Sequence, residues 1–320
     1  MNDARWRAAL TQALTTKDVE ALRRVPKTDL HCHGLLSAPL ATYEQLAGHP
    51  LPPVPEIFGS FEPFGYYIVS NLLPILAQGP SAMQAIIRAT FERFVDDGVV
   101  YAEPSFDLLL PGFIQMSIAE FAELLAAEAA RVANRVTIAP EIGMDRSLPA
   151  LELMPLFREA VATGSFRSVD LYANESAGVI DDFVPLYRLA ADNGLKLKAH
   201  AGELCGSERV RESVEKLGLH AVQHGIRAVE NPALVDHLAE RGTLLHICPT
   251  SNVSLGVCQA FETHPARRLF EQGVRLTVNS DDYSLFGAGV SDELLNLARM
   301  GFAPDEIVQI VENGLDELPA

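Results

Sequence analysis

Short runs of β-branched and aliphatic residues alternate with longer amphipathic stretches along the whole chain, and this alternation limits the folds that the chain can adopt. Strands that alternate regularly with helices form parallel α/β sheets. The predicted strands are 26–33, 99–106, 135–144, 166–172, 195–200, 219–224, 243–248 and 274–281. Because eight strands, each followed by a helix, are typical of a (β/α)8 TIM barrel, we predict this α/β fold, with a doubly wound sheet as the alternative.

One long connection interrupts this rhythm. Residues 38–80 separate the first strand from the first regular helix, and they are rich in proline and aromatic residues. A βα connection of this length lies over the mouth of a barrel, so we predict an apolar lid with Phe61 and Phe64 among its walls. The alternative is a packed surface subdomain. Since no repeat or second domain is visible, we expect residues 1–320 to form a single barrel domain that carries this insertion.

Two helix starts are predicted from capping boxes, in which a serine is followed three residues later by a glutamate or glutamine. Ser81 with Gln84 predicts one start, and Ser117 with Glu120 predicts another. Both pairs precede segments with apolar residues at helical spacing, so we expect each serine to cap the helix that follows it.

Acidic residues outnumber basic ones, 42 to 25, which gives a net charge of −17. Such a surface repels phosphate backbones, so we expect no nucleic-acid partner, whereas its field suits divalent cations. No apolar stretch has the roughly 18 residues of a membrane span, and the first residues lack the apolar core of a signal peptide, so we expect no membrane association. The four cysteines show no CxxC spacing, which predicts reduced thiols in a cytoplasmic protein. The oligomeric state is left open.

Polar residues with catalytic potential follow the predicted first and fifth strands. The first strand ends PKTDLHCH, and His31 and His33 point to the same face because successive strand side chains alternate. Two imidazoles that converge on one point can hold a metal ion. The fifth strand, LKLKAHAGE, ends with His200, and Glu203 follows one turn later.

The sixth and eighth predicted strands end in the same way. LHAVQHG ends with His224, and VRLTVNSDD ends with the adjacent carboxylates Asp281 and Asp282. Taken singly, each such residue has a structural interpretation: a capping aspartate, a hydrogen-bonded core histidine or a surface glutamate. A functional interpretation therefore depends on their joint arrangement.

In a barrel the carboxyl ends of all strands meet at one mouth, where catalytic groups collect. Three histidines and one aspartate form a nitrogen and oxygen donor set that suits one zinc ion per chain. These candidate ligands are His31, His33, His200 and Asp281. The remaining groups could activate a water molecule and protonate a leaving group. These candidate acid–base residues are Glu203, His224 and Asp282.

The motifs PKTDLHCH, KAHAGE, QHGIR, CPTSN and NSDD, in this order and spacing, resemble the adenosine deaminase family of metal-dependent hydrolases. They extend from residue 26 to residue 282. The resemblance implies a (β/α)8 barrel with zinc at its mouth, held by the four candidate ligands. It also implies a hydrolytic deaminase that uses water to release ammonia from an aminopurine.

The resemblance further assigns a role to each acid–base residue. Glu203 would donate a proton to the ring nitrogen beside the amino-bearing carbon, which requires a neutral carboxyl group at the start of turnover. His224 would orient the attacking water, and would accept its proton or stabilise the hydroxide. Asp282 would hold the hydroxide and the purine in register. In CPTSN, Ser251 and Asn252 would act as structural supports.

Two departures from the family pattern concern substrate binding. The family usually has an acidic residue two positions after the second histidine, where it contacts the 5′ hydroxyl of ribose, and here Leu35 takes that place. On the fourth strand the family usually has a glycine whose N–H meets the purine, and here, in FRSVDLYANES, Ala173 takes that place. We therefore predict an aminopurine nucleoside or base as substrate, including a 5′-modified adenosine such as a 5′-deoxy or thioether form, with an N6-substituted purine also open.

Two other functions compete with this prediction. The first is another metal-dependent amidohydrolase on the same barrel, but many binuclear members use a lysine at the end of the fourth strand as a bridging ligand, and SVDLYANES has none. The second is an inactive barrel that serves as a binding protein, although none of the seven metal and acid–base positions is lost. The cytidine-deaminase zinc motif, a P-loop, a GxGxxG after a strand and a GxSxG elbow are all absent from the sequence.

Overall fold

The computed structural model describes residues 3–319 and contains a parallel β-barrel. Its strands are β1 (Lys27–His33), β2 (Val99–Asp107), β3 (Thr137–Ile138), β4 (Glu141–Asp145), β5 (Ser168–Tyr172), β6 (Lys196–Ala201), β7 (Ala221–His224), β8 (Leu244–Ile247) and β9 (Arg275–Val278). Eight strands pair in the order β1-β2-β4-β5-β6-β7-β8-β9, and the short β3 pairs with β2. Each of these pairings is parallel.

The two edges of this sheet meet beyond the end of β9. Cys32 in β1 forms a parallel bridge with Asp281. The N–H of Asp281 donates to the carbonyl of His31 at 3.0 Å, and the N–H of His33 donates to the carbonyl of Asp281 at 3.3 Å. The predicted (β/α)8 TIM barrel is therefore confirmed. The predicted strand 135–144 is in fact two strands, because Pro140 between them has no N–H to donate to a ladder.

Helices connect the strands and surround the barrel. They are α1 (Asp3–Thr16), α2 (Val19–Leu22), α3 (Leu40–Ala47), α4 (Phe61–Tyr67), α5 (Leu73–Leu76), α6 (Pro80–Asp96), α7 (Leu110–Phe113), α8 (Ile118–Val132), α9 (Ala150–Ala162), α10 (Ile180–Asp192), α11 (Ser207–Leu217), α12 (Pro232–Arg241), α13 (Pro249–Ser254), α14 (Ala266–Glu271), α15 (Tyr283–Phe286), α16 (Val290–Arg299) and α17 (Pro304–Leu315). A π-helical turn spans Ile68–Leu72, and 3-10 turns span Ile226–Glu230 and Phe261–Thr263. No helix among residues 3–319 is both long enough and apolar enough to cross a membrane.

The two predicted capping boxes have different outcomes. Ser117 caps α8 as predicted, because its hydroxyl accepts from the N–H of Glu120 and the Glu120 carboxylate accepts from the N–H of Ser117. The prediction for Ser81 is wrong. Helix α6 begins at Pro80, before Ser81, because the fixed φ of proline suits the first helical position. Gln84 instead donates to the Glu128 carboxylate at 2.7 Å.

The barrel interior contains a buried ion cluster below the strand ends. The Lys198 ammonium on β6 lies 2.9 Å from a carboxylate oxygen of Glu103 on β2 and 2.6 Å from one of Glu141 on β4. It also donates to the carbonyl of Leu30 at 2.8 Å. A buried lysine of this kind is tolerated because two carboxylates compensate its charge. The cluster links three strands that support the mouth of the barrel.

The insertion at residues 38–80 folds mainly into α3, α4, the π-helical turn and α5, and it packs on the segments that follow β8 and β9. The N–H of Phe58 donates to the carbonyl of Ser254 at 2.8 Å, and the Ser254 hydroxyl donates to the carbonyl of Glu56 at 3.1 Å. The ring of Phe64 stacks on that of Phe286, with centroids 5.5 Å apart and planes 10° apart. These contacts place the insertion over the carboxyl ends of the strands.

Candidate active site

The four predicted metal ligands lie together at the mouth of the barrel. His31 and His33 are on β1, His200 is on β6, and Asp281 follows β9 by three residues. Each can offer one donor atom, and the four donor atoms all lie within 4.8 Å of one another. The Nε2 atom of His31 lies 3.6 Å from Oδ1 of Asp281, and that of His33 lies 3.5 Å from the same oxygen. The bridge between β1 and Asp281 therefore brings three of the four donors together.

In His31 and His200, a hydrogen bond at Nδ1 determines that Nε2 is the nitrogen that faces the other metal-ligand candidates. Nδ1 of His31 lies 3.1 Å from the carbonyl oxygen of His246, which can only accept, so Nδ1 carries the proton. Nδ1 of His200 lies 3.1 Å from Oδ1 of Asp170 and donates in the same way. In the neutral form of each ring, the Nε2 atoms of His31 and His200 both carry lone pairs, and they face each other at 3.1 Å. Two lone pairs at this distance repel unless a cation lies between them.

This arrangement fits a metal ion with nitrogen and oxygen ligands. Two nitrogens bound to one tetrahedral zinc ion lie roughly 3.3 Å apart, which is close to the observed separation. Burial lowers the pKa of His33 to about 3 and that of His31 well below its ordinary value, with the neighbouring imidazoles adding to both shifts. Both imidazoles are therefore neutral at pH 7, which is the form that binds metals.

The predicted acid–base residues lie directly beside this cluster. Oε2 of Glu203 is 3.4 Å from Nε2 of His224, and Oδ2 of Asp281 is 3.8 Å from the same nitrogen. Burial raises the pKa of Glu203 well above its ordinary value, and the nearby Asp281 and Glu175 carboxylates raise it further. A glutamate in this environment holds a proton near neutral pH and can donate it.

Asp282 and His224 also have strongly perturbed environments. Burial raises the pKa of Asp282 well above its ordinary value, with the charges of Asp281 and Glu203 adding to the shift. Among residues 3–319, no donor bonds Oδ1 of Asp282, although that atom is buried. Burial lowers the pKa of the His224 imidazole well below its ordinary value. Burial therefore favours the uncharged forms of both side chains.

A cavity of about 120 Å³ opens onto these groups. Its lining consists of His33, Leu36, Phe61, Phe64, Ile68, Tyr172, Ala173, His200, Glu203, His224, Leu255, Asp281 and Asp282. Three predicted substrate-binding residues, Phe61, Phe64 and Ala173, are among them. The prediction for Leu35 requires correction, because its neighbour Leu36 lines the cavity instead. The chain turns after His33, so consecutive side chains point in different directions, and Leu35 packs against the hydrophobic core.

Three residues around the cavity have backbone conformations that favour glycine. Ala173, His224 and Asp281 have φ values of 71°, 61° and 56°. Positive φ is unfavourable for residues with a Cβ atom, and it persists where the surrounding structure holds it in place. The glycine expected at position 173 from the family pattern suits this conformation, so Ala173 keeps the backbone geometry and adds a methyl group to the cavity wall.

The sequence did not single out the residues that hold these groups in place. Asp170, on β5, accepts the Nδ1 proton of His200. The buried guanidinium of Arg146 donates to the carbonyls of Leu171 and His200 at the ends of β5 and β6. For Asp170 the available signal was a charged residue in an otherwise apolar strand segment, since such residues are rarely buried without a partner.

Glu175 holds the loop that carries Glu203. Its buried carboxylate accepts four consecutive backbone N–H groups, those of residues 202–205, at distances of 2.8 to 3.2 Å. The first belongs to Gly202, whose φ of 75° suits glycine and where an added Cβ would lie 2.3 Å from Cγ2 of Val210. The loop therefore needs both a glycine at its start and an anion at its centre.

Comparison with known proteins agrees with this geometry. The family described as adenosine deaminase matches residues 58–317. A relative from Treponema pallidum, described as a putative adenosine/adenine deaminase, is 30% identical over 89% of this chain and 95% of its own. An adenine deaminase from Rhizobium meliloti is 35% identical, but that match covers 61% of this chain and 62% of the relative's length.

Two solved structures share the fold. An adenine deaminase from Arthrobacter aurescens has a TM-score of 0.82 and 24% identity, over 92% of this chain and 94% of its own. An amidohydrolase from Burkholderia ambifaria with bound zinc has a TM-score of 0.79 and 23% identity, over 92% of this chain and 86% of its own. At these identities the likeness establishes the barrel architecture.

Proposed function

This chain belongs to the adenosine deaminase family of hydrolytic deaminases, and from this premise we propose that it is a zinc-dependent enzyme that releases ammonia from an aminopurine. The observation that carries the proposal is the pair of Nε2 atoms of His31 and His200, which face each other at 3.1 Å beside the Asp281 carboxylate. We further propose a cytoplasmic location, which is supported by four cysteines that form no disulfide.

One zinc ion per chain would be held by His31, His33, His200 and Asp281. When bound, it would lower the pKa of a water molecule at the site toward about 7. The donor set supports this choice, since three imidazoles and a carboxylate suit zinc better than magnesium or calcium. The zinc bound in the Burkholderia ambifaria amidohydrolase, a protein of the same fold, also supports it.

Glu203 would donate its proton to the ring nitrogen beside the amino-bearing carbon, which makes that carbon electrophilic. His224 would orient the attacking water, and Asp282 would hold the purine and the incoming oxygen in register. A carbon–oxygen bond forms and the carbon–nitrogen bond breaks. The proton from Glu203 stays on the ring nitrogen, one proton of the water leaves with the amino group as ammonia, and the other returns to Glu203, so water and the aminopurine yield the oxo-purine and ammonia. General acid–base groups of this kind contribute roughly 10² to 10⁴ in rate.

The cavity wall supports an aminopurine base as substrate. Leu36, Phe61 and Phe64 form part of an apolar surface opposite the acid–base residues. Tyr172 is the polar lining residue outside the metal and acid–base set, and its hydroxyl already donates to Asp107. The described lining therefore offers little to pair with sugar hydroxyls, and such groups lose stability when buried without partners. The adenine deaminases among the relatives support the same choice.

A 5′-modified adenosine is the second candidate, and the apolar wall is the observation that favours it. An aliphatic or thioether 5′ group would gain from burial against Leu36 and the lid, whereas a 5′ hydroxyl would lose its partners. We assign to Leu36 the contact with the 5′ group that the sequence pattern assigned to Leu35.

The test is ammonia release by the zinc-loaded protein from adenine, adenosine, 5′-deoxyadenosine, 5′-thioether adenosines and N6-substituted purines. We expect adenine to have the highest kcat/KM, 5′-deoxyadenosine to exceed adenosine, and chelation to abolish activity until zinc is restored. The variant His200→Ala should lose zinc and activity, while His220→Ala, an exposed histidine at the opposite end of β6, should keep both. Absence of ammonia release from every aminopurine would contradict the proposal.

A further inference from the structure

A buried histidine outside the sequence motifs bonds to the residues that support the acid–base groups. His264 follows the 3-10 turn at Phe261–Thr263, and its side chain is buried. Its Nδ1 atom accepts the backbone N–H of Ala266 at 3.1 Å, so Nδ1 carries no proton. Burial lowers the pKa of His264 to about 3, which keeps the ring neutral with its proton on Nε2. Nε2 lies 3.1 Å from Oδ1 of Asn252 and donates to it.

This bond fixes the orientation of the Asn252 amide. Because Oδ1 accepts from His264, the Nδ2 amino group faces the other way, toward the active site. It donates to Oε1 of Glu203 at 2.8 Å, and it lies 3.2 Å from Nδ1 of His224. An amide turned by 180° would lose the bond to His264. It would also place Oδ1 against two acceptor atoms, Oε1 of Glu203 and Nδ1 of His224.

The two bonds from Nδ2 in turn determine where protons are held in the active site. Oε1 of Glu203 accepts from Asn252, so the acidic proton of Glu203 belongs on Oε2, the oxygen 3.4 Å from Nε2 of His224. The second N–H of the Asn252 amide points at Nδ1 of His224, which therefore accepts and leaves Nε2 as the nitrogen that carries the ring proton. His224 then presents an N–H donor to the reacting groups, and can stabilise an attacking hydroxide by donating to it.

We propose that His264 is a positioning residue which, through the amide of Asn252, decides which oxygen of Glu203 and which nitrogen of His224 carry their protons. His264 does not line the cavity, and its hydrogen bond toward the active site is the one to Asn252. The inference rests on the proposed deaminase function, because it assigns these protons a part in turnover.

Three variants separate this role from a structural one. His264→Gln keeps an N–H donor near the position of Nε2, whereas His264→Phe keeps the ring volume without either nitrogen. Asn252→Asp keeps the shape of the amide but cannot donate to Glu203 or His224. The control is His220→Phe, because Nδ1 of His220 also accepts a backbone N–H, that of Leu197, at the far end of β6.

We expect kcat to fall by about tenfold or more in His264→Phe and Asn252→Asp, since a lost hydrogen bond of about 1.4 kcal/mol is a factor of ten. KM should change by less than about threefold, and zinc content should stay at one per chain. His264→Gln should recover most of kcat, and His220→Phe should match the wild type. Equal losses in His264→Gln and His264→Phe, or full activity in His264→Phe, would overturn the proposal.

A readout that needs no substrate keeps this test separate from that of the proposed function. Nitrogen-15 histidine NMR of the folded protein identifies the protonated ring nitrogen of His224. We expect Nε2 in the wild type and in His264→Gln, and a shift toward Nδ1 in Asn252→Asp, whose carboxylate can accept from it. A wild-type ring protonated on Nδ1 would refute the proposal even if ammonia is released. A protein that releases no ammonia but holds the Nε2 form would refute only the proposed function.

Discussion

Oδ1 of Asp170 accepts the Nδ1 proton of His200 at 3.1 Å, with Oδ2 at 3.0 Å from the same nitrogen, and this contact turns Nε2 of the ring toward the metal-ligand cluster. Both side chains are buried. A carboxylate behind a metal-binding imidazole fixes the orientation of the ring and strengthens it as a ligand. Asp170 therefore orients a candidate metal ligand at the mouth of the barrel from a buried position on β5.

Substitution of Asp170 by Asn should weaken zinc binding without removing a ligand. The amide accepts one hydrogen bond but carries no charge, so we expect zinc affinity to fall by roughly 10- to 100-fold. Competition with a chromogenic chelator measures this change. Asp182→Asn, on the exposed face of α10, is the matched control and should bind zinc as the wild type does. Wild-type affinity in Asp170→Asn would refute the role.

Substitution of Glu203 by Gln should remove the proton donor while keeping the side-chain shape. We expect kcat to fall by at least about 10²-fold, because Gln cannot supply a proton to the ring nitrogen. Zinc content should stay at one per chain, since Glu203 is not among the proposed ligands. Glu208→Gln, exposed on α11, should be fully active. A loss of zinc together with activity would instead place Glu203 in the coordination shell.

Substitution of Glu175 by Gln should loosen the loop at residues 202–205. The carboxylate accepts four N–H groups there, and a glutamine would turn its own amino group toward some of them. We expect faster amide hydrogen exchange in this loop and a drop in kcat of about tenfold. Hydrogen-exchange mass spectrometry measures the first effect, with exposed Glu215→Gln as the control. Unchanged exchange in the loop would contradict the assignment.

Alanine variants of Phe61 and Phe64 should distinguish the contact of the lid with the substrate from the packing of the lid on the barrel. Phe61 is half-buried, whereas Phe64 is buried and packs on Phe286 and Phe58. Phe61→Ala should therefore raise KM with little change in Tm. Phe64→Ala should raise KM and also lower Tm, because loss of a buried ring costs about 3–5 kcal/mol. Exposed Tyr66→Ala on the same helix should change neither, and an unchanged KM in both phenylalanine variants would argue for packing alone.

Glu293 should make stability depend on pH. Burial raises its pKa to about 7, although it accepts hydrogen bonds from the N–H of Thr250 and from Asn296. Between pH 4.5 and 7 the folded state therefore binds more protons than the unfolded state, so Glu293 lowers the free energy of unfolding as pH rises through this range.

Substitution of Glu293 by Gln should remove this pH dependence. Relative to the wild type, the variant should gain a few kcal/mol at most between pH 5 and pH 8. Urea unfolding at both pH values gives this double difference, in which effects of zinc cancel. Exposed Glu240→Gln should show no such gain. A constant difference between variant and wild type would show that Glu293 does not titrate in this range.

The barrel fold and the metal-ligand candidates could both be predicted from the sequence, and for the same reason. Eight apolar runs with helical stretches between them predict parallel strands, and the polar residues that end those runs must then share one mouth. His31 and His33 are two residues apart on one strand, so strand geometry alone gives them a common face. The helix start at Ser117 is also local, because both members of its capping box lie within one turn.

Other features depend on contacts between residues far apart in the chain, which periodicity does not encode. Leu35 and Leu36 are chemically alike, and only the turn after β1 decides that Leu36 lines the cavity. Asp170 and Glu175 meet their partners about 30 residues further along the chain. The direction of the hydrogen bonds from His264 to Glu203 likewise follows from the packing of the loops after β6, β7 and β8. The sequence therefore determined which chemical groups are present at the mouth of the barrel. The tertiary structure decided how these groups are oriented and where their protons lie, because their hydrogen bonds form only once these segments are packed together.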